Sequence, residues 1–161
     1  MRQASDVEQT IGQYADMVKH ICFVYMKNES DTEDVFQDVF LKYALFSEPF
    51  LSEEHKKAWL IRVSVNRCKD VLRSFFRRYT CSLEEAAAMA APGQEDNSHV
   101  LEAVMKLPEK YKILVYLHYY EGYSAVEIAG ILHKKVNTVY THLSRAKTEL
   151  KKMLGGDEGE A

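Results

Sequence analysis

Cysteine is scarce in this chain of 161 residues: Cys22, Cys68 and Cys81 are odd in number and far apart along the sequence, with no C-x-x-C. That pattern fits neither a disulfide framework nor a zinc cage, and the expectation is a reduced, cytoplasmic protein. Long apolar runs are also missing. No stretch of about 18 consecutive apolar residues occurs, which argues against a transmembrane helix and direct membrane insertion. The opening "MRQASDVEQT" has no apolar signal-peptide core. Nucleotide-binding glycine motifs, internal repeats and low-complexity tracts are absent. No metal site, cofactor, catalytic group or small-molecule substrate is expected.

What is present is a core-forming composition, with 47% hydrophobic and 28% charged residues. The small net charge of −3 conceals alternation along the chain. Residues 1–52 carry a net −5, 53–79 a net +5, 80–109 a net −5, 110–154 a net +5, and the tail 155–161 a net −3. Two basic blocks between acidic ones suggest two contacts with a polyanion and acidic surfaces for another partner. Solvated helix faces are the plainer reading of charge alone.

Apolar spacing predicts helices almost throughout. The first runs from about Asp6 to Lys27, with Val7, Ile11, Tyr14, Val18, Ile21, Cys22 and Tyr25 on one stripe. The next is expected to start at an Asp31 or Thr32 cap and to reach about Phe46, with Pro49 beyond it. A third should start after Ser52 and run to about Arg78. Residues 80–98, Ala-rich and then Pro-Gly and polar, read as a linker between an N-terminal domain (1–79) and a C-terminal one (99–154). In the second domain Pro108 opens a helix and Gly122 follows it. Ser124 caps a short helix over Ala125–Leu132, and "HKKV" turns into a last helix. The tail 155–161, "GGDEGEA", is expected to fray. The fold class is all-α: two small helical domains joined by a linker.

"SAVEIAGIL–HKKV–NTVYTHLSRAK" reads as a helix-turn-helix, with Ile128, Ala129, Val136, Val139 and Leu143 between the helices. The far face of the second helix carries Thr138, Tyr140, Thr141, Ser144 and Arg145. Short polar groups, an aromatic and a guanidinium suit base edges and phosphates in a major groove. An ordinary helical hairpin is the rival reading. The basic stretch "WLIRVSVNRCKDVLRSFFRR" interleaves cations with Trp59, Phe75 and Phe76, which suits melted strands that expose stacking faces and phosphates. Core packing is the better reading for Trp59, because Leu60 and Val63 continue its stripe. A membrane-surface helix is weaker, because acidic segments flank the block. In "DTEDVFQDVFLKY" the polar side carries Asp31, Asp34, Gln37, Asp38 and Lys42.

Taken in order, "EDVFQDVFLKYALF", "AWLIRVSVNRCKDVLRS" and "LPEKYKILVYLHYYEGYSAVEIAGILHKKVNTVYTHLSRAKTELKKML" resemble the extracytoplasmic-function (ECF) sigma factors, small promoter-specificity subunits of bacterial RNA polymerase. The resemblance spans about residues 10–154. It implies a protein that is not an enzyme and that joins core RNA polymerase to initiate transcription. It also implies that Asp34, Gln37 and Asp38 contact core polymerase, and that Phe50 and Asn66 form a pocket for a flipped −10 base. Lys69 and Arg73 would hold the DNA backbone, and Thr138, Tyr140, Thr141, Ser144 and Arg145 would read the −35 element. The linker would thread toward the RNA exit path. Promoter DNA, core polymerase and an anti-sigma factor are the implied partners. Two departures stand out: His133 replaces a usual Gly at the turn, and Tyr140 and His142 replace basic residues. His133 then needs a turn free of positive φ, or bears strain. A stand-alone helix-turn-helix regulator with a helical sensor domain, and a helical scaffold with no nucleic acid, are the rival functions.

Overall fold

The computed structural model describes the backbone of residues 1–78 and 98–159 and the side chains of 1–74 and 102–155. The expected linker, Ser98 apart, lies outside these residues, as do Cys81 and the side chains of Phe75 and Phe76. The described residues form helices and turns with no strand. The chain divides into two compact units, Met1–Ala91 and Pro92–Ala161.

The first unit packs α1 (Ala4–Met26), α2 (Glu29–Leu45) and α3 (Glu53–Arg78) against one another. Helical periodicity accounts for its core. Tyr14, Val18, Ile21, Cys22 and Tyr25 of α1 are buried, as are Val35, Val39, Phe40 and Tyr43 of α2. On α3 the buried stripe is Ile61, Ser64, Val65 and Cys68, joined by Leu60. Ser64 satisfies its buried hydroxyl by donating to the Leu60 carbonyl at 2.7 Å. Cys22 and Cys68, distant in sequence, meet as free thiols in the core. Their mutual hydrogen bond, with burial, pushes the Cys68 thiol well above its ordinary range, so it is an inert core group.

The start of α2 corrects the sequence expectation. Asn28, not Asp31 or Thr32, is the cap: its side-chain oxygen accepts from the Asp31 N–H at 2.8 Å. Its amide donates to the Met26 carbonyl at 3.2 Å and to the Asp31 carboxylate at 2.9 Å. A side chain that closes one turn and opens the next outcompetes the acids downstream. Beyond α2, Ser52 accepts from the His55 N–H at 3.1 Å and starts α3 as expected.

In the second unit α4 (Ser98–Met105) precedes α5 (Glu109–Val115), which runs into a π-helical turn, Tyr116–Tyr120. Gly122 follows at φ 81, a conformation that suits glycine. Next come α6 (Ala125–Leu132) and α7 (Val136–Gly159), whose backbone leaves helical geometry at Gly155, at the start of the expected frayed tail. Ser124 and Glu127 form a complete capping box at the start of α6. Helix α7 packs on α4, α5 and α6. Ala146 is wholly buried with Leu107 and Val115, and Val104, Tyr111 and Leu150 close around them. Lys112 is also fully buried, and its ammonium donates at 3.3 Å to the Met105 carbonyl at the end of α4. A cation there meets the negative end of that helix.

Candidate nucleic-acid interface

The last helix separates two faces cleanly. Val139 and Ala146 are fully buried, and Val136 and Leu143 are half-buried toward the core. Tyr140, Thr141, Ser144 and Arg145 are exposed, with Tyr140 at 55%, and Thr138 is half-exposed. The first turn of α7 holds no acid, and Lys134 and Lys135 precede it. Its positive end is therefore open to an anion. The turn that sets this helix is strained. His133 sits at φ 56, ψ 48, the left-handed conformation that a glycine would take without cost. In exchange the N–H groups of His133 and Lys134 both reach the Ala129 carbonyl and close α6. Ala129 and Ile128 are buried beneath α7.

His142 lies at the edge of this face, its ring edge-on to Tyr111 at 5.3 Å. Burial lowers its pKa below the usual histidine value, and the cations Lys110, Lys134 and Arg145 lower it further. It is therefore largely uncharged near neutral pH, and does not restore the positive charge that a lysine or arginine would carry there.

In the first unit the polar side of α2 presents Asp34 and Gln37 to solvent. Asp38 is different: its carboxylate accepts from the Arg67 side chain at 3.0 Å. A shallow groove between α2 and α3 is lined by Asp38, Val39, Lys42, Val63, Asn66, Arg67 and Asp70. Asn66 and Asp38 thus share one groove, although the resemblance gives them different partners. Lys69 and Arg73 are exposed on α3, and Arg73 is paired with Asp70. Exposed pairs of this kind contribute about 0–1 kcal/mol, so a phosphate can replace either carboxylate at little cost.

Phe50 is not among the residues that line this groove; it sits in a cluster of rings. It stacks near-parallel on Tyr43 at 6.2 Å, and meets Phe46 at 5.6 Å, Trp59 at 5.6 Å and His55 at 5.2 Å. Trp59 is half-buried here, its ring 4.9 Å from Phe46 and 6.1 Å from Tyr43. The core reading of Trp59 therefore holds in part, while its neighbour Leu60 is the fully buried residue. Above the rings lies Arg2, whose guanidinium carbon is 4.5 Å from the Tyr43 centroid and 5.0 Å from that of Phe50. Sequence reasoning passed over Arg2, Phe46, His55 and Arg67. Only the run of aromatics around Pro49 could have signalled the cluster.

Comparison with known proteins gives two family matches in chain order: "Sigma-70 region 2" over residues 10–79 and "Sigma-70, region 4" over residues 99–150. Among curated relatives, the ECF RNA polymerase sigma factor SigW of Bacillus subtilis is 25% identical over 158 residues, covering 88% of this chain and 84% of that protein. The RNA polymerase sigma factor SigV of Bacillus subtilis is 30% identical over 129 residues, covering 78% and 77%. Among solved structures, the sigma factor RpoE in complex with the anti-sigma factor NepR from Bartonella quintana aligns with a TM-score of 0.75 at 20% identity, over 96% of this chain and 99% of that one. CnrH in complex with the cytosolic domain of CnrY aligns with a TM-score of 0.64 at 23% identity, over 96% and 91%.

Proposed function

Since this chain belongs to the ECF group of sigma-70 RNA polymerase sigma factors, we propose that its three exposed polar surfaces divide the work of initiation. As a sigma factor it is not an enzyme. It confers promoter choice on one, binding core polymerase and promoter DNA. The alternative of a stand-alone helix-turn-helix regulator leaves the region 2 match over residues 10–79 without a role.

In this reading Asp34, Gln37 and Asp38 of α2 dock on core polymerase. Asp38 exchanges Arg67 for its polymerase partner, which frees the Arg67 guanidinium beside the groove. Asn66 and Phe50 receive bases of the opened −10 element, and Lys69 and Arg73 hold the backbone. Opening precedes this readout, because a base is available for stacking only once it has left the duplex. Thr138, Tyr140, Thr141, Ser144 and Arg145 read the −35 duplex from the major groove. The observation that carries the reading is the division of α7 into a buried spine at Val139 and Ala146 and an exposed face of hydrogen-bonding side chains. Tyr140 and an uncharged His142 leave fewer cations for phosphates than basic residues would. The −35 preference is then carried more by base contacts and less by salt-sensitive ones.

The same reading places the protein in the cytoplasm, where its polymerase is. No described helix is long and apolar enough to cross a membrane. An anti-sigma factor is the third partner proposed, by analogy with RpoE and CnrH, each solved in a complex. The test is run-off transcription by core polymerase on genomic promoter fragments, with and without this chain, using wild type and Asn66→Ala. Specific transcripts that need the chain, and a mutant rescued by pre-melted templates, are the expected results. Sequence-specific duplex binding by the chain alone, with no transcript, would sink this reading.

A further inference from the structure

Arg2 joins three separate stretches of the first unit. Its backbone N–H donates to the Ala44 carbonyl at 2.9 Å, in the last turn of α2. One arm of its guanidinium donates to the Glu48 carbonyl at 2.7 Å, and the other reaches the Asp6 carboxylate at 3.3 Å. The same group lies over the Tyr43 and Phe50 rings, and its side chain is only 13% exposed. Asp6 is tied in turn, accepting from the Tyr43 hydroxyl at 2.8 Å and the Thr10 hydroxyl at 3.3 Å. The loop 46–52 is thus held from the α1 side by Arg2. From the α3 side it is held by His55, whose Nδ1 accepts from the Leu51 N–H at 3.0 Å, and by Trp59 against Phe50.

We propose that Arg2 is a positioning residue for promoter opening: it clasps the 46–52 loop so that the Phe50 ring meets melted −10 bases in one fixed pose. This rests on the reading that Phe50 faces those bases. A loop of this length without a regular backbone ladder samples many ring orientations unless its carbonyls are engaged. Arg2 engages the Glu48 carbonyl and caps the ring pair at once. An arginine suits the task because its planar fork can reach the Asp6 carboxylate and the Glu48 carbonyl together while lying on aromatic faces. A lysine offers a single point of charge.

The experiment uses reconstituted holoenzyme. Open-complex formation is measured on the preferred promoter and on every single-base −10 variant, for wild type, Arg2→Ala, Arg2→Lys and Phe50→Ala. The readout is the ratio between preferred and variant sequences, which a smaller folded fraction does not change. Arg2→Ala is expected to shrink that ratio roughly tenfold, the order of one lost charge-assisted contact, with Arg2→Lys between it and wild type. Discrimination at −35 and affinity for core polymerase should match wild type. If Phe50→Ala loses −10 discrimination while Arg2→Ala keeps it, Arg2 is only a structural latch and the proposal fails. If Phe50→Ala keeps it too, the reading of the loop fails with it. An equal loss at −10 and −35 in Arg2→Ala also overturns the proposal, since the clasp proposed here acts on the −10 readout alone.

Discussion

The α7 face and the Phe50 ring cluster present their candidate functional residues in opposite ways. On α7, Tyr140, Thr141, Ser144 and Arg145 project from a helix whose core contacts are made by other residues. In the first unit, Phe50 belongs to a ring cluster that includes the fully buried Tyr43, Asp38 is bound to Arg67, and Arg73 to Asp70. A duplex offers its base edges without rearrangement, so a reader of the groove needs only a rigid helix. On the proposed function an unpaired base must be caught in a pose, and a receiver at Phe50 would be built into the packing. Sequence preference at −35 should therefore vary independently of stability, whereas changes around −10 should alter both.

The largest test is Tyr43→Ala. Its ring is fully buried, its hydroxyl donates to Asp6, and Arg2 lies on its face. Loss of about 3–5 kcal/mol is expected from large-to-small truncation in a core. Trp59 is the single tryptophan of the chain and lies 6.1 Å from Tyr43, so its fluorescence during urea unfolding reports the packing around Tyr43. An unchanged midpoint would break the contrast from the N-terminal side.

Arg145→Ala approaches it from the other side. If Arg145 reads a guanine edge, about 1–3 kcal/mol of promoter affinity should go at one base pair. If it holds a phosphate, the loss should be uniform across sequences and the salt slope should fall by about one. Base readout is favoured, because Lys147, Lys151 and Lys152 are exposed on the same helix for the backbone. Thermal stability should stay within about 0.5 kcal/mol of wild type. Holoenzyme binding to all single-base −35 variants at two salt concentrations, beside a melting curve, decides the case. A mutant that unfolds, or that binds every variant like wild type, removes this face from the DNA.

His133→Gly sharpens the contrast more gently. Relief of a left-handed non-glycine cap should raise stability of the second unit by about 0.5–1 kcal/mol. The far-UV circular dichroism of chemical unfolding should show the gain, with the Trp59 transition unmoved.

The smallest effect is one of pH. His142 has a folded pKa below its ordinary 6.5, so its contribution is fully present above 6.5 and is lost as pH falls through the lowered value. Asp6 has a folded pKa below its ordinary 3.8, held down first by the Tyr43 hydrogen bond and then by Arg2. Its contribution is present above 3.8 and disappears only as pH falls through that lower value. Acid should therefore loosen the second unit first. His142→Gln should flatten its profile below 6.5, and Asp6→Asn should not. Unfolding followed by Trp59 fluorescence and by circular dichroism, across the acid range, separates the two.

Much of the placement of the candidate site residues was legible in the sequence for a local reason. The face of α7, the Ser124 capping box and the helix spans each depend on residues three or four positions apart, and periodicity encodes that spacing. Less legible was the start of α2, because Asn28 competes with Asp31 and Thr32 and only its side-chain geometry decides. The strain at His133 was half legible: the unusual residue at the turn could be seen, but not which backbone it would adopt.

The amino-acid sequence by itself determined the all-α class, the order of helices, the two basic blocks and the polar faces of α2 and α7. Tertiary structure alone decided that Arg2 reaches Glu48, 46 residues away, that Asp38 is spent on Arg67, 29 residues away, and that Cys22 meets Cys68 in the core. Helical periodicity fixes which face of a helix is apolar. It does not fix how far one helix slides or turns against the next, and those offsets, set by side-chain packing, select the polar groups that meet at the rim of the core.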